Sequence, residues 1–343
     1  MPHEIRLSPA LEEGKLLTHA LESVLKSYSF SSFSIGIRSN DAALKAAYRE
    51  QLQQYVSAAP FWKSKKPVLD APHVHVLLDV VLNAFVVDIF PQIIVGRYCK
   101  LQRGIAQTRH FCYQCKGRGK WNGKTCEICN GEKILTKDSV QELIAPFFVK
   151  AFSAKEILFH GAGREDVDVR MLGEGRPFAL TIENPFVRKV DLRALEEKIN
   201  EALQGKVELH ALAFAAPDAV AKVTQAYHTK RYRALVHAEK PIALEKLHTH
   251  VGNKADVVQT TPIRVEKRRV MKERPHWVVL EKVVPKSAHE VEIFLQTSAG
   301  CYVKEFVSGD EGRSVPSIAE WLGIPCVCKE LDVLAVEESE RMF

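Results

Sequence analysis

The chain has 343 residues, more than one ordinary hydrophobic core accommodates, so two or three domains are expected. A hydrophobic content of 46% excludes an intrinsically disordered chain. The most apolar stretch, Val74 to Phe90, is broken by Asp79, Asn83 and Asp88, which excludes a membrane span of about twenty apolar residues. The net charge of +6 is mild but unevenly spread. Nine Lys or Arg lie between Arg97 and Lys133 against Glu127 and Glu132, the electrostatic footprint of a polyanionic partner.

Taken in chain order, residues 1 to about 65 read mostly helical. Leu16, Leu17, Ala20, Leu21, Val24 and Leu25 recur at helical spacing, and Ala43 to Val56 forms a second such stretch. Phe30 to Ile37 alternates as a strand. His73 to Phe90 reads as two strands turning near Leu82-Asn83-Ala84. A cysteine-rich module follows, then a helix from Ser139, a candidate N-cap, to Phe152. Beyond Ala154, helices are expected at Val190–Leu203 and Ser317–Leu322. Strands are expected at Val207–Phe214, Arg231–His237, Val278–Val284, Val291–Thr297, Cys301–Val307 and Leu331–Val336. The N-terminus carries acids early and has no apolar run, so a signal peptide is not expected and a reducing, cytoplasmic setting is.

Cys112-x2-Cys115 and Cys126-x2-Cys129, ten residues apart, have the spacing of a closed tetrahedral zinc site. Gly117, Gly119, Gly123 and Gly131 supply the tight turns such knuckles need. Four thiolates leave no open coordination position, so the zinc is expected to be structural. The Cys112–Gly119 segment also resembles the cysteine repeat of DnaJ-type chaperones, but only two half-units are present and no His-Pro-Asp motif occurs. Cys99, Cys301, Cys326 and Cys328 read as ordinary buried thiols.

The run Gly163-Arg164-Glu165-Asp166-Val167-Asp168-Val169-Arg170-Met171-Leu172-Gly173-Glu174-Gly175-Arg176-Pro177-Phe178 is the most informative segment. Read as extended chain, it puts Asp166, Asp168 and Arg170 on one side and Val167 and Val169 on the other. An arginine beside a carboxylate keeps it ionised, which suits a nucleophile or charge stabiliser better than a proton donor. A solvated charged strand is the plain alternative for such a stretch.

This run resembles the signature of the archaeal and eukaryotic tRNA pseudouridine synthases that modify the TΨC arm, and its first half is similar to the Gly-Arg-x-Asp motif of bacterial tRNA-uridine synthases. Further matches lie at Gly96-Arg97-Tyr98 to Gln107-Thr108-Arg109, Lys230-Arg231-Tyr232-Arg233-Ala234, Gln259-Thr260-Thr261-Pro262-Ile263-Arg264 and Ala299-Gly300-Cys301-Tyr302-Val303-Lys304-Glu305-Phe306-Val307. The resemblance covers residue 95 onward; the first ninety residues match loosely. It implies an α+β fold: a mixed, mostly antiparallel pseudouridine-synthase sheet with flanking helices at 136–343, a THUMP-like α/β RNA-binding module at 1–109, and the four-cysteine zinc module at 110–135.

The resemblance also implies roles. Asp166 matches the catalytic aspartate, with Asp168 its nearest competitor. Tyr232 matches the tyrosine that stacks on uracil. Lys304 matches the basic partner of the aspartate, and strand alternation would place it on one face with Tyr302 and Phe306. Leu331 matches a hydrophobic position beside the uracil, for which plain core packing is a strong alternative. Arg164, two residues before Asp166, is expected to enter the space left by an extruded base, whose extrusion costs a few kcal/mol; a phosphate or carboxylate clamp is a nearly equal alternative. Arg264, Arg268 and Arg269, within the basic stretch Thr261–Trp277, resemble the loop that grips RNA. The implied partner is tRNA, at uridines 54 and 55 of the TΨC loop, the implied state a monomer, and no organic cofactor is required.

Three other readings compete. Leu158–Gly163 resembles the start of a methyltransferase cofactor loop but lacks the third glycine. Asp166 and Asp168, two residues apart, are too close to flank a sugar as glycosidase carboxylates. A non-catalytic RNA-binding module would not need Asp166, Tyr232 and Lys304 to match together.

Overall fold

The computed structural model describes residues 2–136, 138–266 and 270–338. The first sheet has five strands in the order β1-β5-β4-β2-β3: β1 His3–Leu7, β2 Ser32–Arg38, β3 Lys66–Pro67, β4 Val74–Asp79 and β5 Ala84–Ile89. Helices α1 (Thr18–Lys26) and α2 (Ala42–Ala58) accompany it. Both helices and the strands β2, β4 and β5 match the sequence expectation. Asp41 caps α2 by accepting from the amides of Ala43 and Leu44. Leu21, Leu25, Tyr48, Leu52, Trp62, Val74, Val76, Leu78, Phe85 and Val87 form a core separate from the larger one.

The large sheet has ten strands: β6 Gln92–Lys100, β7 Glu156–Gly161, β8 Arg170–Glu183, β9 Val207–Ala215, β10 His228–Ala238, β11 Lys254–Thr260, β12 Glu273–Pro285, β13 Glu290–Thr297, β14 Ser314–Val315 and β15 Cys326–Glu338. Its order is β9-β6-β8-β15-β10-β13-β12-β11-β14, with β7 also paired to β8. Every pairing is antiparallel except β8 with β15, which run parallel through Arg170↔Asp332 and Met171↔Val333. The sheet therefore closes its centre with a long-range contact between the acidic motif and the C-terminal strand.

Helices α3 (Val140–Phe152) and α4 (Leu192–Ala202) pack on the sheet, together with the short α5 (Ala219–Gln225), α6 (Leu244–His248) and α7 (Val303–Ser308), while α8 (Ile318–Leu322) packs on α6 and α7. Ser139 caps α3 by accepting from the Glu142 amide, as its position suggests. Phe148, Phe152, Phe178, Leu180, Ile199, Leu209, Leu280 and Ile293 lie in the main core.

Three expectations are corrected. Gln92–Lys100, assigned to the accessory module by a boundary at 109, is hydrogen-bonded between β8 and β9 in the large sheet. Residues 164–169 are a loop, not a strand, and β8 begins only at Arg170. Cys301–Val307 is not a strand: Val303–Ser308 is helical and is closed by Gly309 at φ 81°, whose amide donates to the Glu305 carbonyl. The buried Val303, Phe306 and Val307 recur at i, i+3 and i+4, a helical spacing that the β-branched valines disguised.

The segment Phe186–Arg188 touches the first unit. The Ser29 amide donates to the Phe186 carbonyl, the Tyr28 and Phe186 rings stack at 4.4 Å, and Arg188 donates to the Phe90 carbonyl.

The glycines of the acidic motif serve backbone crowding. Gly173 (φ 63°) and Gly175 (φ 79°) lie where β8 shifts register against β6, between Met171 and Arg176. A Cβ on Gly173 would meet the Leu334 carbonyl oxygen at 2.2 Å. Gly173→Ala is therefore expected to destabilise the chain by more than about 1 kcal/mol, read as a lower urea midpoint with unchanged slope.

Candidate active site and metal cluster

Asp166 is carried on the loop between β7 and β8. Its Oδ2 lies 3.0 Å from Arg264 Nη1 and 3.4 Å from Lys304 Nζ. Lys304 itself sits closer to Asp168, donating to both carboxylate oxygens at 2.8 and 2.7 Å. Burial would raise the Asp168 pKa, but the hydrogen bond and charge of Lys304 outweigh it and hold the carboxyl below the usual range. Two aspartates and two cations thus form one quartet. The sequence reading assigned Arg264 to RNA gripping; the geometry also makes it a direct partner of Asp166. Its Nε is 2.5 Å from the buried Glu305, which anchors it from behind.

The carboxylates of the motif differ in burial. Asp166 is 40% exposed and Asp168 69%, whereas the neighbour Glu165 is the buried acid.

Tyr232 lies in β10, buried on the sheet face that carries the main core. Burial pushes its phenol well above the ordinary value; Arg176 opposes this, and the negative charges of Glu165 and Asp166 add to it. Tyr232 pairs with Val333 and Ala234 with Leu331. Leu331 is therefore a same-face diagonal neighbour of Tyr232 across β10 and β15. Lys230, two residues before Tyr232 on that face, is pulled down to about 8 by burial and by the nearby Arg176. Arg164 is exposed two residues before Asp166. Arg268 and Arg269 lie outside the described residues. The geometry thus gathers Asp166, Arg264 and Lys304 in direct contact, sets Tyr232 and Leu331 together across β10 and β15, and leaves Arg164 exposed on the loop of Asp166.

Several supporting residues escaped the sequence reading. Gln259, buried at the end of β11, accepts from the Tyr302 amide at 2.8 Å and donates to its carbonyl at 3.0 Å. It thereby fixes the start of α7 and so the base of Lys304. Asp332, fully buried on the opposite face of β15 from Leu331, is gripped by Arg103 (2.7 Å), Arg170 (2.9 and 2.8 Å) and Arg233 (2.8 Å). Nothing in one dimension signalled this cluster, because Arg103, Arg170 and Arg233 lie on three separate segments of the chain.

The four cysteines 112, 115, 126 and 129 are buried, with all sulfurs within 4.8 Å of one another. The Cys112–Cys126 and Cys115–Cys129 sulfurs are each 3.7 Å apart. A tetrahedron with metal–sulfur bonds of about 2.3 Å has edges of about 3.8 Å, so the donor set fits a tetrahedral thiolate-bound metal ion. Among the described residues no helix is long and apolar enough to cross a membrane.

With the fold and site in place, comparison with known proteins is direct. The family model "Pus10, C-terminal" matches residues 93–337. A relative from Methanocaldococcus jannaschii, named tRNA pseudouridine synthase Pus10, is 37% identical over 96% of this chain and 73% of its own length. One of the same name from Archaeoglobus fulgidus is 40% identical over 77% of this chain and 72% of its own. A chain of a crystallised Cbf5–Nop10–Gar1 complex aligns with a TM-score of 0.33 at 15% identity, over 58% of this chain and 46% of that one, a likeness too weak to bear on the site. The site is that of an α/β protein with an ion-paired aspartate on a central loop, and the chain belongs to the Pus10 family.

Removing the charge of Asp332 leaves three arginines around a neutral group. Asp332→Asn is expected to cost about 3–5 kcal/mol, measured by urea denaturation. Burial raises the pKa of Asp332, but the hydrogen bond from Arg170 and the charges of Arg103 and Arg170 hold it below the ordinary carboxylate value. Its contribution is thus fully present above about pH 4 and is lost as pH falls through the folded pKa. The variant should show a flatter acid limb in its stability–pH curve.

Proposed function

We propose that the protein is a tRNA pseudouridine synthase that isomerises uridines 54 and/or 55 of the TΨC loop, with Asp166 as the catalytic carboxylate. The observation that supports this most is the pairing of Asp166 with Arg264 and Lys304 beside Tyr232, inside the segment matched by the family model. The reaction breaks the C1′–N1 bond and forms a C1′–C5 bond, with the C5 proton lost and N1 protonated. It is balanced without a redox or organic cofactor. Asp166, paired with Arg264 and Lys304, supplies the negative charge that such bond exchange needs. Tyr232 stacks on the detached uracil, Leu331 packs against it, and Arg164 enters the space left by the extruded uridine. A loop target suits this chemistry, because loop bases are cheaper to extrude than stacked helical ones.

The remaining roles follow the same reading. The cation at the four cysteines is zinc, closed and structural. Residues up to about 90 form a THUMP-like accessory unit. The cysteine module at 110–135 exposes Tyr113 and Trp121 among Lys116, Arg118, Lys120 and Lys124, a combination that suits RNA contact. Arg268 and Arg269 grip RNA phosphates. The protein acts as a cytoplasmic monomer.

Asp166→Asn is expected to abolish pseudouridine formation on unmodified tRNA while tRNA affinity stays within a few-fold, because phosphate contacts dominate binding. Carbodiimide mapping reads the product by position, which mass alone cannot. Wild-type-like turnover by Asp166→Asn would sink the assignment. Cys112→Ser or Cys129→Ser should yield protein with substoichiometric zinc by metal analysis and early proteolysis within 110–135, since metal binding there is folding energy. Full zinc content in both variants would contradict a four-cysteine site.

A further inference from the structure

The loop that bears Asp166 has no strand partner, yet most of its carbonyls are held by specific donors. Arg176 donates to the Ala162 carbonyl at 2.8 Å and Gln107 to that of Gly163 at 2.9 Å. Lys100 donates to the carbonyls of Asp166 at 2.9 Å and Val167 at 3.4 Å, and the Gly104 amide donates to Val167 at 2.9 Å. Arg103 donates to the Asp168 carbonyl at 2.8 Å. Side chains of β6, β8 and the segment after β6 thus trace the loop almost residue by residue.

Beneath the loop these donors are joined by one buried acid. Glu165 accepts from Arg176 Nε at 2.8 Å and from Tyr98 Oη at 2.9 and 3.0 Å, and it lies 3.7 Å from Lys100 Nζ. Tyr98 also accepts from Gln107 at 2.8 Å. Lys100, Glu165, Arg176, Tyr98 and Gln107 are all buried. Two cations face one carboxylate, so a positive charge remains in excess. Isolated burial of such a charge costs several kcal/mol. Here the surplus is directed at main-chain carbonyls of the loop and of Ile105, which Lys100 reaches at 2.7 Å.

We propose that Lys100, Glu165 and Arg176 are positioning residues that set the backbone of Asp166 for reaction through these carbonyl contacts. The inference rests on the reading of Asp166 as the catalytic carboxylate. Lys100 grips the Asp166 carbonyl directly, Glu165 is its chain neighbour, and Arg176 anchors the loop's entry at Ala162. The carboxylate of Asp166, 40% exposed, is engaged only by Arg264 and Lys304 among the described residues, while its main chain is held by Lys100. A displacement of about 1 Å at a reacting group can cost on the order of 100-fold in rate.

The test uses the full-length protein, unmodified tRNA, single-turnover rates at saturating enzyme, and tRNA dissociation constants. Lys100→Met and Glu165→Gln keep approximate side-chain volume. Each is expected to lower the single-turnover rate by about 10- to 100-fold while the tRNA Kd changes by less than about threefold. A merely structural role would lower the melting temperature and leave the rate per folded molecule unchanged. Should both variants fail to fold, Tyr98→Phe and Gln107→Leu, which each delete part of the network without removing a charge, decide the matter: a loss of about three- to tenfold at unchanged Kd supports the proposal. Folded variants with wild-type single-turnover rates, measured beside an inactive Asp166→Asn, overturn it. Activity in Asp166→Asn would instead remove the reading on which it rests.

Discussion

A carboxylate sealed under the large sheet, Glu165, is the constraint from which the rest of the site follows. A buried charge is tolerated only when it is paired and hydrogen-bonded. Glu165 meets that requirement by drawing Arg176 from β8, Tyr98 and Lys100 from β6, and through Tyr98 also Gln107. These residues lie on segments far apart in the chain, so satisfying one acid ties β6, β8 and the loop into a unit. Asp166 inherits its place from that unit. Its own side chain stays partly exposed and takes its cations, Arg264 and Lys304, from the opposite side.

A second buried acid does similar work on the other face of β15. Asp332 collects Arg103, Arg170 and Arg233. Successive residues of a strand face opposite ways, so Asp332 looks to the arginines while Leu331 and Val333 look to Tyr232. The parallel β8–β15 pairing, only two residues long, is reinforced by this ion cluster at its first pair, Arg170↔Asp332. Charge thus replaces hydrogen-bond length at the point where the acidic motif meets the C-terminal strand. Arg103 links the two centres, since it reaches Asp332 and also the Asp168 and Leu331 carbonyls.

The cysteine module is held by different physics. Its buried cluster consists of the four cysteines alone, while Phe111, Tyr113, Trp121 and Ile128 are exposed. So small a segment has little apolar core of its own, and its four cysteines are placed to hold a metal ion, whose binding would supply cohesion. The accessory unit before it has its own apolar core and needs no such device.

Much of this was legible in one dimension. Local spacing was enough for the Cys-x2-Cys pairs, for the capped helix at Ser139, for α1, α2 and α4, and for the alternating strands β9, β10 and β13, because each is dictated by neighbours within a few residues. Family-like motifs also picked out Asp166 and Lys304, which the fold pairs at 3.4 Å, and Tyr232 and Leu331, which it sets on one face of neighbouring strands. What failed did so where tertiary contacts overrule local pattern. Val303 and Val307 read as strand, but burying one side of a short segment capped by Gly309 makes it a helix. Asp166 and Asp168 read as one face of a strand, but pairing the buried Glu165 makes that stretch a loop. Arg264 read as part of an RNA-gripping loop, and only the tertiary fold sets it between Asp166 and Glu305. The sequence by itself determined which side chains carry charge, thiol and apolar bulk, and the local periodicities that follow. Which acid is buried, and which cation answers it, was decided by the tertiary structure, because the cost of burying a charge is met only by partners that chain folding brings from afar.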